Sequence, residues 1–344
     1  MQSLAVKYRP KTFDDVVEQS SIKVILEQQL STGTFKHAYL FCGGAGTGKT
    51  TCARIFANEI NKNSGNPIEI DAASNNGVDD VREIIQQAKT KSLDSEYKVF
   101  IIDECHSLSN TAWQAMLKLI EEPPAKSIFI FCTTDPQKIP KTILSRVQRY
   151  DFQRISHNGI VNRLDYIVCA EYGHTDAYVP MDSLDYIAKI ADGGMRDAIT
   201  LMDKCLSYSN ELTLDNVVKA LGVTDYDTMF KLNDSFFDDD KAKMIEIIEN
   251  IHKSGIELKQ FIKQYMYFAL DIGKYEFLRN FKYLHIPKIY EEELSKYGDY
   301  EYEKSENLLS VLIKINADIK WENSPKNVIE AMLLEFMIKE EQNK

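Results

Sequence analysis

Long apolar segments and metal-binding cysteine pairs are both missing from this 344-residue sequence. No run of eighteen apolar residues occurs, so we expect no membrane-spanning helix. The first ten residues are too polar for a secretory signal. The six cysteines form no C-x-x-C pair, and none clusters with histidine at ligand spacing. We therefore expect free thiols, no zinc and a cytoplasmic protein.

An excess of positive charge is also missing. The sequence has 41 Lys and Arg residues against 52 Asp and Glu, which gives a formal net charge of −11. This balance argues against a protein that coats nucleic acid over its whole surface, although it leaves room for a local basic path on one face. Apolar residues make up 44% of the chain, enough for substantial cores, and the length predicts two or three domains.

A glycine-rich motif is the most informative feature that is present. Residues 43–50 match G-x-x-x-x-G-K-[ST], and they lie between an apolar run of strand length and a segment typical of a helix. In that context backbone N–H groups and a helix N-terminus face phosphates. Lys49 is expected to reach the β- and γ-phosphates, and the Thr50 hydroxyl to bind Mg²⁺. The alternative is a glycine-rich turn that binds nothing. The residues predicted to bind ATP here are Gly43, Gly44, Ala45, Gly46, Thr47, Gly48, Lys49, Thr50 and Thr51.

Two carboxylates follow a second apolar run, which begins at Lys98. Asp103 and Glu104 stand where a buried parallel strand is expected to end, and ligands of open α/β sheets bind at that edge. Asp103 is predicted to hold Mg²⁺, directly or through water, and Glu104 to deprotonate the water that attacks the γ-phosphate. This second carboxylate favours hydrolysis over phosphoryl transfer. The alternative is a surface acidic pair. His106 receives no role, because a lone histidine beside such a strand is more often structural.

The order of elements predicts the architecture. Three further strand candidates, Ile68–Asp71, Ser127–Thr133 and Gln148–Gln153, alternate with helices, which indicates a five-stranded parallel sheet with right-handed crossovers. No strand signal occurs in 156–222 or 223–344, and apolar spacing of three and four residues there predicts helices. We expect the stripe of Tyr265, Phe268 and Ile272 to lie in a core or a subunit contact. The predicted domains are 1–155, 156–222 and 223–344.

Further motifs surround these elements in a fixed order. They are Lys7-Tyr8-Arg9-Pro10, Phe13-Asp14-Asp15-Val16-Val17, Ile70-Asp71-Ala72-Ala73-Ser74, Leu119-Ile120-Glu121-Glu122-Pro123-Pro124, Ser145-Arg146-Val147 and Gly194-Met195-Arg196-Asp197-Ala198. Together with the glycine-rich loop and Asp103-Glu104, they resemble the bacterial DNA polymerase III gamma/tau family, the AAA+ ATPases of sliding-clamp loaders. The resemblance covers about the first 220 residues closely. It implies an α/β P-loop AAA+ domain, a small helical lid and an all-α collar that forms oligomers.

The resemblance also implies roles that spacing alone does not give. Thr133 would be a sensor of the γ-phosphate or the attacking water, and Arg196 a second sensor that reaches the phosphates from the lid. Arg146 would be an arginine finger directed at the ATP of the neighbouring subunit. For each arginine the alternative is an ordinary ion pair. The residues implied to frame the adenine are Tyr8, Arg9, Pro10, Val16 and Val17.

The function implied by the resemblance is that of an ATP hydrolase that opens a sliding clamp and places it on primer–template DNA. The implied partners are the clamp, and other loader subunits or further copies of this chain in a pentameric assembly. Two other interpretations stay open. One is an AAA+ remodeller or branch-migration motor, which the helical third segment argues against. The other is a structural subunit that binds ATP without hydrolysing it, although Lys49, Glu104 and Arg146 are all present.

The sequence departs from the family pattern in several places. The four-cysteine zinc insert usual before the Ile-Asp-Ala-Ala-Ser motif is replaced by residues 61–67, which contain no cysteine. Glu18 stands where the family has glycine, and Val147 where it has cysteine. The long tail of the tau form is also not found, so we expect a compact, gamma-like form.

Overall fold

A computed structural model describes residues 2–90, 92, 94–172, 180–221, 226–287, 290–297, 302–319, 322 and 324–342. The chain divides into two compact units. The first consists of Met1–His174 and Ala191–Asp203, and the second of Thr175–Ile190 and Lys204–Lys344. The division into three domains at 155 and 222 stays a prediction.

The first unit is built on a five-stranded parallel sheet. Its strands are β1 (Ala38–Cys42), β2 (Ile68–Asp71), β3 (Lys98–Asp103), β4 (Ser127–Thr133) and β5 (Gln148–Asp151), in the order β2-β3-β4-β1-β5. Every residue of β1 and β4 is buried, as expected for central parallel strands covered on both faces. The predicted parallel sheet is confirmed.

Helices cover both faces of this sheet. Helices α2 (Ser20–Thr32) and α3 (Lys49–Ile60) lie on one face, and α4 (Val78–Lys89), α5 (Asn110–Glu121) and α6 (Lys141–Leu144) lie on the other. The first unit also contains α1 (Leu4–Lys7), α7 (His157–Tyr172) and 3₁₀ turns at Cys105–Ser107 and Pro136–Lys138. Because side chains alternate along a strand, Tyr39 and Phe41 pack on the α3 face with Phe56, whereas Leu40 packs with Trp113 on the α4–α5 face. Because all five strands are parallel, their carboxyl ends lie at the same edge of the sheet.

Strand β5 ends two residues earlier than the sequence predicts. Phe152 still donates its N–H to the Cys42 carbonyl at 2.7 Å. The backbone of Gln153 instead bonds a side chain, since Gln19 accepts from its N–H at 3.2 Å and donates to its carbonyl at 2.7 Å. The buried Gln19 side chain thus takes the place of the next backbone hydrogen bonds between strands. The residues of β5 themselves do not indicate that the strand ends here.

The second unit consists of helices joined by turns and loops in the part that the structure describes. Its helices are α8 (Met181–Ile190), α10 (Leu214–Leu221), α11 (Tyr226–Phe237), α12 (Lys241–Lys253), α13 (Leu258–Leu278), α14 (Glu291–Lys296), α15 (Tyr302–Asp318) and α16 (Pro325–Gln342), with a 3₁₀ turn at Phe281–Tyr283. Helix α9 (Met195–Tyr208) begins in the first unit. Tyr265, Phe268 and Ile272, which all lie on α13, are buried, and this confirms that the stripe belongs to a core. Among the described residues, no helix is long and apolar enough to cross a membrane.

Candidate nucleotide-binding site

The glycine-rich loop connects β1 to α3 at the open edge of the sheet. Helix α3 begins at Lys49, after Gly48 in a left-handed conformation. At Gly43 a Cβ atom would lie 2.5 Å from the Phe152 carbonyl oxygen, and at Gly46, where φ is +69°, it would lie 3.0 Å from the Gly194 Cα. Glycine is therefore required at both positions by close backbone approach.

Lys49 lies under this loop and is only 6% exposed. Its ammonium donates to the carbonyl oxygens of Gly43 at 2.9 Å and Gly44 at 2.7 Å. Burial lowers the pKa of Lys49, while the nearby Asp103 and Glu104 carboxylates act in the opposite direction. An ammonium that is held by carbonyls and short of hydration fits an incoming anion.

Thr50 and Asp103 meet where α3 begins and β3 ends. The Thr50 hydroxyl donates to Asp103 Oδ2 at 2.7 Å, and Asp103 Oδ1 accepts from the Glu104 N–H at 3.0 Å. A hydroxyl and a carboxylate at this spacing are hard oxygen ligands of the type that Mg²⁺ prefers. The donor set therefore fits the predicted ion.

Glu104 follows Asp103 in a left-handed backbone conformation, with φ of 46°. Such a conformation is costly for a non-glycine residue and persists where the surroundings enforce it. The Thr134 hydroxyl donates to Glu104 Oε2 at 2.9 Å, and His106 Nδ1 lies 3.3 Å from the same oxygen. The carboxylate is thus held from two sides at the mouth of the site.

Thr133 ends β4 beside Cys42 of β1, and it is fully buried. Its Oγ1 accepts from the Asp135 N–H at 3.0 Å and lies 3.1 Å from His106 Nδ1. His106, which the sequence analysis assigned no role, therefore contacts both a predicted sensor and the predicted base.

A cleft of about 420 Å³ opens above the loop, within the size range of small-molecule sites. The predicted site residues that line it are Tyr8, Arg9, Pro10, Val16, Val17, Ala45, Gly46, Thr47, Gly48, Lys49, Thr50, Thr51, Asp103, Glu104 and Arg196. Gly43, Gly44, Thr133 and Arg146 are not among its lining residues. The structure thus brings most of the predicted set together, while the role of each residue stays a prediction.

The Tyr8 side of the cleft is braced by α7. The Tyr8 hydroxyl donates to Glu171 Oε1 at 2.5 Å, and burial together with this carboxylate raises the pKa of Tyr8 to about 12. Arg163 donates to the Tyr8 carbonyl at 3.1 Å and also lines the cleft. Sequence reasoning missed Arg163, and the only signal was a lone arginine among the apolar residues of α7.

The start of α9 closes on the glycine-rich loop. The Met195 N–H donates to the Gly46 carbonyl at 3.0 Å, which places Arg196 on the wall of the cleft. Within the described residues, the Arg196 guanidinium has no ion pair or hydrogen bond to another side chain. The ion-pair alternative therefore has no observed partner at this position.

Arg146, by contrast, is paired at the surface. Its Nε lies 2.7 Å from Glu121 Oε1, and its guanidinium donates to the Thr142 carbonyl at 2.8 Å. Both side chains of the pair are about 40% exposed. Within this chain the residue is in the ion pair that the sequence analysis gave as the alternative to a finger.

Comparisons with known proteins find subunits of DNA polymerase III. A family model described as "DNA polymerase III, delta subunit" matches residues 66–156. The chain is 35% identical to DNA polymerase III subunit tau of Bacillus subtilis over 97% of its own length and 63% of that protein's length. It is 34% identical to DNA polymerase III subunit gamma of Buchnera aphidicola over 79% of its own length and 80% of that protein.

A solved structure shows a similar fold at lower identity. It is the Thermotoga maritima RuvB Holliday junction branch migration motor, with a TM-score of 0.51 and 20% identity over 73% of this chain and 86% of that chain. At this identity the likeness concerns the fold alone. It confirms the predicted fold class, an α/β P-loop domain with a five-stranded parallel sheet followed by helices.

Proposed function

The chain belongs to the DNA polymerase III gamma/tau family, and from this premise we propose that it is an ATPase subunit of a DNA sliding-clamp loader. The observation that carries the proposal is that Lys49, the Thr50–Asp103 pair and Glu104 meet in one cleft. These are the groups that ATP hydrolysis needs for phosphate binding, metal binding and water activation. Since the chain spans 63% of the Bacillus subtilis relative, the activity and partners of the whole protein are part of the proposal.

Phosphate binding follows from the loop and Lys49. The first-turn N–H groups of α3 have no partner within the helix and carry its positive dipole end. Lys49 adds a positive charge that is short of hydration, because its present acceptors are two carbonyls. Phosphate oxygens are stronger acceptors for this ammonium than carbonyl oxygens. Gly43 to Thr51 would thus hold the triphosphate, and Tyr8, Arg9, Pro10, Val16 and Val17 the base.

Thr50 and Asp103 would hold Mg²⁺. When bound there, the ion supplies charge neutralisation of the phosphate oxygens in the transition state. The protein's part is to keep the hydroxyl and the carboxylate at the end of β3, where their present spacing is 2.7 Å.

Glu104 would take the proton of the attacking water. Its carboxylate is placed by Thr134 and by the backbone turn that follows Asp103. Thr133 and Arg196 would contact the γ-phosphate or the water and stabilise charge as it develops. This division of labour matches a hydrolase, because every group either positions a water or stabilises phosphate charge.

Arg146 would complete the site of a neighbouring copy. It does not line the cleft of its own chain, and Glu121 holds it half-exposed at the surface. An exposed ion pair of this kind contributes little to stability and can be exchanged for a phosphate partner at little cost. Both observations support an arginine that acts across an interface.

The proposed cycle uses several such interfaces. ATP binding shapes a pentameric assembly, formed with further copies or other loader subunits, that opens the clamp and accepts primer–template DNA. Hydrolysis then releases the closed clamp. The N-terminus of α4 is a candidate for phosphate contact with DNA, as in other helix N-termini that bind backbone phosphates.

A branch-migration motor is the main rival. The RuvB likeness does not favour it, because it concerns the fold alone. The described part of residues 204–344 consists of helices and turns, and we see no winged helix there. An ATP-binding subunit without hydrolysis is disfavoured by the intact Glu104.

The test is steady-state ATP hydrolysis by the purified chain, alone and with the sliding clamp and loader subunits of the same organism. We expect Mg²⁺-dependent turnover that rises when clamp and primed DNA are added together. Turnover that rises with junction DNA and ignores the clamp would support the motor instead.

A further inference from the structure

His106 lies on the 3₁₀ turn that directly follows Glu104, and its side chain is 18% exposed. A single ring nitrogen, Nδ1, is 3.1 Å from the Thr133 hydroxyl oxygen and 3.3 Å from Glu104 Oε2. The three side chains come from the ends of two adjacent parallel strands, β3 and β4. One histidine nitrogen therefore joins the end of the sensor strand to the predicted base.

Whether His106 Nδ1 donates or accepts in these contacts depends on whether it carries a proton. An ionised carboxylate only accepts hydrogen bonds, so a lone pair on Nδ1 beside Glu104 Oε2 would be repulsive. A proton on Nδ1 makes the ring a donor to Glu104 and to Thr133 together. Thr133 Oγ1 already accepts from the Asp135 N–H at 3.0 Å. With both lone pairs of that oxygen occupied, its one hydrogen is left to point away from His106 and Asp135.

The opposite tautomer gives a different result. If Nδ1 carried the lone pair, the Thr133 hydroxyl would donate to the ring and could not donate elsewhere. Glu104 would then be held by Thr134 alone. The two arrangements differ in whether the sensor hydroxyl and the base carboxylate are set at the same time.

We propose that His106 is a positioning residue that donates from Nδ1 to Glu104 and Thr133, and so fixes the base and the sensor hydroxyl as one unit. The proposal rests on the proposed ATPase function and deepens it. His106 does not touch the substrate in this account. It acts through the two side chains that do, and its loss is expected to change turnover rather than nucleotide binding.

The test compares three substitutions at this position. His106→Phe keeps a flat ring without Nδ1, His106→Asn places an amide N–H at the Nδ1 position, and His106→Gln places it one bond further out. We expect kcat for ATP hydrolysis to fall roughly 10- to 100-fold in the Phe variant, the scale for losing a hydrogen bond to a charged group. The affinity for a fluorescent ATP analogue should stay within about twofold. The Asn variant should recover most of the lost turnover.

A double substitution shows whether His106 acts through Glu104. If it does, adding His106→Phe to Glu104→Gln slows hydrolysis much less than it slows the parent, because only the contact with Thr133 is then left to lose. His37→Phe is the matched control. His37 directly precedes β1, so it lies at the amino end of the strands, opposite the carboxyl ends that form the cleft. The substitution should leave turnover unchanged.

The outcomes separate this inference from the proposed function. Absence of hydrolysis in the unsubstituted protein with clamp and primed DNA would contradict the ATPase proposal itself. Normal hydrolysis that Glu104→Gln abolishes, with a Phe variant within twofold of the parent, would overturn only the role of His106. A loss that Asn does not relieve, or that is equally large in the Glu104→Gln background, would overturn it as well. If the Phe variant does not bind nucleotide, the Asn and Gln variants decide: faster hydrolysis by Asn supports the proposal, and equal rates overturn it.

Discussion

At the scale of single residues, Glu104 is the side chain on which hydrolysis depends. Its carboxylate is held by Thr134, and its backbone by the turn after Asp103. Glu104→Gln keeps this shape and removes the base, so we expect ATP binding to remain while turnover falls by about 10²-fold or more. Equilibrium binding and single-turnover hydrolysis measure the two effects. Unchanged turnover would remove Glu104 from the mechanism.

Lys49 should affect binding itself. Because it is the buried cation beneath the loop, Lys49→Ala removes the positive charge that phosphate oxygens would meet. We expect ATP affinity to fall by about tenfold or more, the scale of a charge-assisted hydrogen bond. Lys89→Ala, at the exposed end of α4, is the control and should bind normally. Equal affinities for the two variants would contradict the phosphate role.

The cysteines give a prediction about reactivity. Burial raises the pKa of the Cys42 and Cys205 thiols to about 11 and of Cys52 to about 12, and it also raises the pKa values of Cys105 and Cys132 well above the usual range of a thiol. Thiolates are the reactive form, so these five should resist a thiol reagent at neutral pH. Partly exposed Cys169 should react first, and all six in denaturant. Rapid labelling of more than one thiol in the native protein would contradict their placement.

The expected lack of zinc stays a prediction for elemental analysis. Residues 61–67 hold no cysteine. Metal analysis of protein purified without chelators should find no stoichiometric zinc. A one-to-one signal would mean that distant cysteines converge on a metal.

At the scale of elements, Glu18 completes the N-terminus of α7. Ser156 Oγ accepts from the Gly159 N–H at 3.1 Å, and the Glu18 carboxylate accepts from the Ser156 N–H at 3.0 Å and from its hydroxyl. In a capping box the third helical residue supplies that carboxylate, but here it is Gly159. A residue 138 positions away takes its place. This explains what Glu18 does at a position where the sequence departs from its family.

We therefore expect Glu18→Ala to destabilise the first unit. Alanine keeps the Cβ and hence the left-handed strain at φ of 56°, so the change isolates the cap. A lost cap costs about 1 kcal/mol, which lowers Tm by roughly 2–4 °C in a unit of this size. Glu27→Ala on the exposed face of α2 is the control. Equal melting temperatures for the two variants would show that the cap contributes nothing.

Elements with strong local sequence patterns could be predicted. Features that depend on contacts between residues far apart in the sequence could not. Strand β4 matches its prediction at both ends, because seven consecutive buried residues leave no polar ambiguity. Helix α2 was not predicted, because the exposed apolar residues Val24 and Ile25 interrupt the helical spacing of its buried residues. The cleft residues named from motifs lie together, whereas His106, Arg163 and Gln19 act through contacts that only the fold creates.

At the scale of the whole molecule, we expect active sites that are shared between copies of the chain. Arg146→Ala should bind ATP nearly normally and hydrolyse it poorly, since fingers of this kind are worth about 10³–10⁵ in turnover. When the Arg146→Ala and Glu104→Gln variants are mixed, we expect part of the lost hydrolysis to return, because some sites then combine an intact Glu104 with a neighbour's intact Arg146. A mixed assembly without any recovery would return Arg146 to a simple ion pair with Glu121.

The most direct measurement of the central claim is clamp retention on DNA. The chain, its partner subunits and a labelled clamp are incubated with primed circular DNA and either ATP or ADP, and clamps that remain on the DNA are counted after gel filtration in high salt. We expect retention with ATP, little with ADP, and a sharp loss with Lys49→Ala. Vigorous ATP hydrolysis with no clamp left on the DNA, or retention that is equal with ATP and ADP, would contradict that claim.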